Sequence, residues 1–275
     1  MTRLRSLAAA TVVLLAPIAA ADPVSPDFLD DLPVAEVVLL GEAHGNPTHH
    51  RLQTRAVASL SPAAIVWEML TPEQAARLPE DLTQADVVAR AVDWDGSGWP
   101  DFDYYHPIML AAPNAVHLGA GITREQARRV FEEPLPAVFE DLVAHPSGAF
   151  GLSEALSKAN QAAREALQAA AHCDALPEHL LPGMVDAQRL RDGALAAQVM
   201  QALEQTGGPV AVITGAGHAR QDMGVPRKLA VAAPDLRVLS FAMLEADPGP
   251  DAPFDHWIVT DPHPREDPCA HFRQE

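Results

Sequence analysis

Basic residues, aromatic residues and cysteines are all scarce in this sequence, and each scarcity narrows what the protein can be. Lys and Arg number 19 against 37 Asp and Glu, a net charge of −18, and Lys158 and Lys228 are the only lysines. Nucleic acids and anionic membranes bind basic surfaces, so neither is an expected partner. The two cysteines lie far apart in the sequence, which excludes a zinc ribbon.

Residues 1–21 have the pattern of a cleavable export signal. Arg3 and Arg5 precede an apolar stretch from Leu7 to Ala20, and small residues precede Asp22. Cleavage before Asp22 leaves 17 basic and 37 acidic residues, a net charge of −20. The apolar stretch is broken by Pro17 and is too short for a membrane span, and no cysteine near the cleavage site could be acylated. We therefore expect a soluble periplasmic or secreted protein.

The remaining chain is long enough to form a full core without help from disulfides. An oxidising compartment would allow Cys173 and Cys269 to pair, which would fix the C-terminal tail. Two unpaired thiols are the alternative.

Short apolar runs alternate with longer segments of helical spacing, a pattern typical of an α/β protein with a largely parallel central sheet flanked by helices. Runs of Val, Ile and Leu without polar alternation favour strands that are covered on both faces. Residues 124–206 have helical spacing only, which predicts a helical subdomain inserted between two parts of a sheet domain, 22–123 and 207–275. The predicted strands are Ala35–Leu40, Ala64–Glu68, Ala115–Leu118, Pro209–Thr214 and Arg237–Phe241, with His256–Thr260 at an edge, and the predicted helices of the insertion are Arg124–Phe131, Pro136–Val143, Ser153–His172 and Pro182–Leu203.

Acidic and histidine side chains follow three of the predicted strands, at the point where each strand ends. Glu42 and His44 follow the first strand, Glu68 ends the second, and His218 follows the fourth. Ligands of open α/β sheets bind at the carboxyl ends of the strands, so we expect these four side chains, the Glu–His cluster, to meet in one crevice. Polar groups that arrive at one edge from several strands are costly unless they are paired or used, which favours a functional role for the set. A structural hydrogen-bond network is the alternative.

The scarce aromatic residues are most concentrated between residues 94 and 107, the aromatic segment. It contains Trp94, Trp99, Tyr104 and Tyr105, which are two of the four tryptophans and both tyrosines. Planar ligands pack against such side chains, and a tyrosinate can ligate ferric haem iron. A small aromatic core under a loop is the alternative.

A series of short motifs runs in order along most of the chain. They are Leu39–His44, Asn46–Pro47, His49–Gln53, Trp67–Met69, Trp94–Trp99, Tyr105–Ile108, Gln188–Asp192, Gly215–Arg220 and Gly224–Pro226. This series resembles the ChaN-like haem-binding uptake family. That family belongs to a superfamily with the Tiki metalloproteases and the erythromycin esterases, which share glycine-flanked Glu and His motifs.

The resemblance implies a parallel-sheet domain with a helical subdomain, in an exported haem-binding protein of an iron-acquisition system. It also implies that a tyrosine ligates ferric haem, and this role falls on Tyr105, with the adjacent Tyr104 as the alternative. The lipoprotein members carry an acylated cysteine that this sequence lacks. A haem transporter or receptor is the implied partner, and two exposed haem faces could stack in a homodimer.

The haem hypothesis needs further groups around the macrocycle. A second iron ligand or a hydrogen-bond partner would come from His49, His50 or His106. The first two follow Pro47 on a predicted helix, where exposure is the ordinary expectation. Haem propionates need cations, and Arg51 and Arg220 lie near the two glycine-flanked motifs.

A hydrolase of protease or esterase type is the competing hypothesis. The Glu–His cluster could bind a divalent metal, or one of its histidines could act as a general base on water.

Overall fold

The computed structural model describes residues 22–265 and residue 269. The predicted export signal lies outside these residues.

A parallel sheet forms the centre of the protein. Each strand is paired in parallel with its neighbours, and across the sheet the order is β1-β7-β6-β2-β5-β3-β4. Within the described residues the strands are β1 (Asp22–Pro23), β2 (Val37–Glu42), β3 (Ala64–Trp67), β4 (Val116–Gly119), β5 (Val210–Gly215), β6 (Val238–Leu244) and β7 (His256–Val259). The predicted α/β class is confirmed, and the six predicted strands are present with their ends shifted by up to three residues. The two-residue strand β1 was not predicted.

The central strands are apolar because both of their faces are covered. Every residue of β2 and β5 is buried, as expected for parallel strands between two layers of helices. The helices are α1 (Pro47–Leu60), α2 (Pro72–Ala75), α3 (Ala85–Ala91), α4 (Phe102–Ala111), α5 (Arg124–Arg128), α6 (Leu135–Val143), α7 (Lys158–Ala171), α8 (Leu181–Thr206), α9 (Ala216–Ala219) and α10 (Val225–Ala232).

Two apolar cores lie on opposite faces of the sheet. Helices α1, α3 and α4 cover one face, where Ile108 and Met109 pack with Leu40 and Ile65. Helices α6, α8 and α10 cover the other, where Leu190 and Leu195 of α8 join the core. Because α8 lies on the sheet, it carries its side chains to the carboxyl ends of the strands.

The four helices predicted between residues 124 and 206 are present as α5, α6, α7 and α8. The third begins at Lys158 and not at Ser153, because Ser157 caps it by accepting from the backbone N–H of Asn160. The division into a sheet domain and an inserted subdomain stays a prediction.

The predicted disulfide between Cys173 and Cys269 is confirmed, with the two Cα atoms 5.7 Å apart. It joins the loop after α7 to the end of the chain. Among the described residues, no helix has both the length and the apolar character needed to cross a membrane.

Candidate functional site

The four residues of the Glu–His cluster meet at the carboxyl edge of the sheet. Glu42 ends β2, Glu68 directly follows β3, and His218 lies on α9, which β5 leads into. His44 donates from Nδ1 to Glu42 Oε1 at 2.8 Å, and its Nε2 lies 3.9 Å from Glu68 Oε1. His218 Nε2 lies 3.4 Å from the same Glu68 oxygen. The topology therefore brings together the side chains that the sequence placed at separate strand ends.

Glu42 is a buried carboxylate surrounded by donors. Tyr105 donates its hydroxyl to Glu42 Oε1 at 3.0 Å, in addition to the bond from His44. His50 Nδ1 lies 2.8 Å from Oε2, out of line for a hydrogen bond, and pairs with Gln53 at 3.1 Å. Burial raises the pKa of Glu42, but His44 and His50 more than offset this and hold the pKa below its usual value. Glu42 is therefore ionised.

Residues of the neighbouring strand β5 hold the carboxylate of Glu68. Its Oε2 accepts from the Thr214 hydroxyl and from the Gly215 backbone N–H, both at 2.7 Å. Burial acts to raise the pKa of Glu68, and the charge and proximity of His218 reverse the effect, so the pKa lies well below its usual range. Both carboxylates of the cluster are thus charged at neutral pH.

His218 lies between two carboxylates. Its Nδ1 donates to Asp192 Oδ1 of α8 at 2.6 Å, on the side opposite Glu68. Burial lowers the pKa of His218, but Glu68 and Asp192 together raise it to about 10. The imidazole is therefore a buried cation at neutral pH.

Sequence reasoning did not single out Asp192 as a site residue. It lies 150 residues after Glu42 in the chain, and only the packing of α8 on the sheet brings it to this edge. The signal that could have found it is the Gln188–Asp192 motif, since residues four apart on a helix share one face.

His44 is the most accessible member of the cluster, with 35% of its side chain exposed. Its ring packs edge-on against Trp99, with ring centres 5.0 Å apart. Burial lowers the pKa of His44, while the bond to Glu42 and the charge of Glu68 raise it above the ordinary value. In the part of the chain that the structure describes, no group of three or more His, Cys, Asp or Glu side chains is arranged to hold a metal ion.

The aromatic segment is partly core and partly open. Trp94 is buried and donates to the Pro100 carbonyl at 2.8 Å, and Tyr105 is completely buried against it. Trp99 and Tyr104 are half-buried, and the ring of Tyr104 stacks on His50 with centres 5.4 Å apart. The small aromatic core is therefore present for Trp94 and Tyr105, and a ligand contact of Trp99 or Tyr104 stays a prediction.

The other predicted haem contacts are engaged elsewhere. His49 is buried, accepts from the backbone N–H of Ala43 and contacts Thr260, and burial lowers its pKa to about 4. His106 is also buried and donates to the Leu82 carbonyl at 2.7 Å. Their roles toward haem stay predictions.

The two arginines that were predicted to bind the haem propionates make hydrogen bonds to neighbouring side chains. Arg51 is exposed on α1 and donates to the Thr48 hydroxyl. Arg220 pairs with Asp222 through two nitrogens, at 3.0 and 2.7 Å. Neither bond tests the predicted contact with haem.

A cavity of about 650 Å³ opens beside the cluster, at the ends of β3 and β4. We call it the Trp99 cavity, since the indole forms part of its wall. Its lining includes Glu68, Met69, Trp99, Gly121, Arg124 and Arg191. The two arginines were not predicted as site residues, although Arg191 lies inside one of the family-like motifs.

Comparisons with known proteins agree with this architecture. The family described as haem-binding uptake, Tiki superfamily, ChaN matches residues 28–229. A solved structure described as cofacial haem binding to ChaN of Campylobacter jejuni has a TM-score of 0.61 and 15% identity, with 83% of this chain and 87% of that chain covered. This likeness shows a shared fold.

A second solved structure, the type III effector HopBA1, has a TM-score of 0.45 and 12% identity, covering 82% of this chain and 88% of that one. No curated protein matches the sequence. The family match and the shared fold with ChaN do not favour the hydrolase alternative. The family match covers more than half of the sequence and includes the whole Glu–His cluster, and the chain therefore belongs to the ChaN haem-binding uptake family of the Tiki superfamily.

Proposed function

We propose that this protein binds haem at the carboxyl edge of its sheet, as part of haem or iron uptake. The observation that carries the proposal is the family match over residues 28–229, which contains the carboxyl ends of β2, β3, β4 and β5 and the whole Glu–His cluster. The cofacial haem binding of ChaN from Campylobacter jejuni supports the proposal.

The Trp99 cavity is large enough for a planar cofactor, and its lining mixes polar and apolar side chains. Its volume of about 650 Å³ lies within the range of cofactor sites, and an indole on its wall offers a flat surface. His44 contacts the same indole and is open to solvent on one side. Bound haem would supply an iron centre that takes an oxygen or nitrogen side chain as axial ligand.

Tyrosine ligation of ferric iron is part of the proposal, and the two tyrosines differ in access. Tyr105 is fully buried and already donates to Glu42, and both burial and that carboxylate raise its pKa far above the usual value. Forming a phenolate there is unfavourable. Tyr104 is half-buried, and its hydroxyl makes no hydrogen bond to any part of the chain that the structure describes. We therefore place Tyr104 first and Tyr105 second as the ligand, and neither side chain is part of the Trp99 cavity lining.

Export is proposed on two observations. The pattern of residues 1–21 supports it, and a disulfide such as Cys173–Cys269 persists in oxidising compartments. The homodimer and the transfer of haem to a transporter or receptor stay predictions.

Haemin titration of Tyr104→Phe and Tyr105→Phe tests the ligand. We expect the ferric charge-transfer spectrum of tyrosinate ligation in the native protein and in Tyr105→Phe, and its loss in Tyr104→Phe. Loss in Tyr105→Phe alone would move the ligand to Tyr105. If the doubly substituted protein keeps both spectrum and affinity, tyrosine ligation is wrong.

A further inference from the structure

Two arginines that make no ion pair line the Trp99 cavity together. Seven of the fourteen arginines in the described residues pair with carboxylates: Arg55, Arg90, Arg129, Arg189, Arg220, Arg237 and Arg265. Arg124 and Arg191 have no carboxylate oxygen within 4 Å among those residues, and both line this one cavity. Because acidic residues outnumber basic residues about two to one, two arginines that share one pocket without a carboxylate partner require an explanation.

The arginines reach the cavity from different elements. Arg191 lies on α8, one residue before Asp192, and is half-buried. Arg124 is the first residue of α5 and lies at the exposed rim. Its guanidinium approaches the loop of the aromatic segment near Gly98, which has φ of +78°. The cavity thus has one cation in its wall and one at its mouth, with Trp99 beside them.

Two acids, Glu68 and Asp93, line the same cavity, and neither makes an ion pair with these arginines. Glu68 lines the cavity, but its Oε2 is taken by Thr214 and Gly215, and its Oε1 faces His218 and His44. Asp93 is exposed at the rim. Burial lowers the pKa of Arg191, the charges of Glu68 and Asp192 raise it, and the charge of Arg124 lowers it again, so the two cations lie close enough to repel each other. A bound anion would relieve both costs.

We propose that Arg124 and Arg191 bind carboxylate groups of the ligand, and, on the proposed haem function, that these are the two propionates of haem. Guanidinium groups hold carboxylates through paired N–H donors, a geometry that lysine lacks. The macrocycle would then lie toward Trp99. This assignment differs from Arg51 and Arg220, because neither of them lines the Trp99 cavity and Arg220 already pairs with Asp222.

Titrations with haemin and with its dimethyl ester test the proposal, because the ester keeps the ring and the iron but lacks the carboxylates. We expect Arg191→Gln to weaken haemin binding at least about tenfold. The loss in Arg124→Gln should be smaller, because this arginine is exposed. Neither substitution should change the affinity for the ester. The matched control is Arg128→Gln, an exposed arginine one turn further along α5 and outside the cavity lining.

Each other outcome overturns a defined part of the account. If both variants bind haemin as tightly as the native protein, the arginines have no carboxylate role while haem binding stands. If Arg191→Gln weakens the binding of haemin and of the ester equally, its effect is on folding or general fit, and the proposal is again wrong. In that case Arg191→Lys, which keeps the charge, should not restore the affinity for haemin. If the native protein binds neither compound, haem binding itself fails and this assignment fails with it.

Discussion

At the scale of single residues, His218 shows how paired carboxylates determine the charge of a buried group. Burial alone would neutralise its imidazole. Asp192 on one side and Glu68 on the other instead raise its pKa from 6.5 to about 10. A group whose pKa is higher in the folded than in the unfolded protein contributes its full stabilisation at pH values below its pKa in the unfolded protein. This contribution is lost as the pH rises through its pKa in the folded protein.

We therefore expect His218 to stabilise the fold at pH 6 and progressively less between pH 6.5 and about 10. His218→Gln should cost about 3–5 kcal/mol at pH 6, because two buried carboxylates lose their cation. The difference from the native protein should shrink toward pH 10. Urea unfolding at several pH values measures it, with the exposed His179→Gln as control. A difference that is constant across this range would contradict the assignment.

The sequence predicted the cluster residues better than their partners. Glu42, His44, Glu68 and His218 each follow a strand, so the rule that parallel strands end at one edge was enough to group them. Asp192 comes from the middle of a 26-residue helix, and its place depends on how α8 packs on the sheet. The burial of Tyr105 likewise depends on tertiary packing, and no local sequence pattern distinguishes Tyr105 from Tyr104.

At the scale of elements, the two glycine-flanked motifs make room for each other. Gly41 and Thr214 are paired in adjacent strands. A Cβ on Gly41 would lie 2.8 Å from the Ala216 backbone and 2.8 Å from Ala219 Cβ, and one on Gly215 would lie 2.8 Å from His44 Nε2. Each glycine therefore permits the close approach of a residue from the other motif.

Gly41→Ala should destabilise the protein by about 1–3 kcal/mol, since it forces β2 and α9 apart. Gly217→Ala is the matched control from α9, because its Cβ would meet only Gln188 Nε2 at 3.9 Å. Thermal unfolding of both variants is the measurement. Equal unfolding temperatures would show that the close packing of α9 on β2 is not needed.

Element types were more predictable than their ends. Helix α4 was not predicted, because it lies within the aromatic segment and contains Pro107. It forms because Asp101 caps it by accepting from the backbone N–H of Asp103, and because Tyr105, Ile108 and Met109 are buried against the sheet. The tertiary burial outweighs the local helix-breaking signal.

At the scale of the whole molecule, the net charge of the protein and the charge of the proposed ligand are both negative. The net charge of −18 disfavours long-range attraction of a ligand that carries two carboxylates. Haem binding must then depend on groups inside the site: an iron ligand, the indole of Trp99 and the unpaired arginines. Added salt screens the long-range repulsion between the acidic protein and an anionic ligand, and it screens the half-buried Arg191 much less, so it should not weaken the complex.

The most direct test of the account is a haemin titration of the native, signal-free protein at low and at high ionic strength, followed by the ferric absorption spectrum. The account predicts saturable binding of one haem per chain at both ionic strengths, with no loss of affinity as salt increases. Absorbance that rises without saturation, as haemin gives when it only associates with a protein surface, would contradict it.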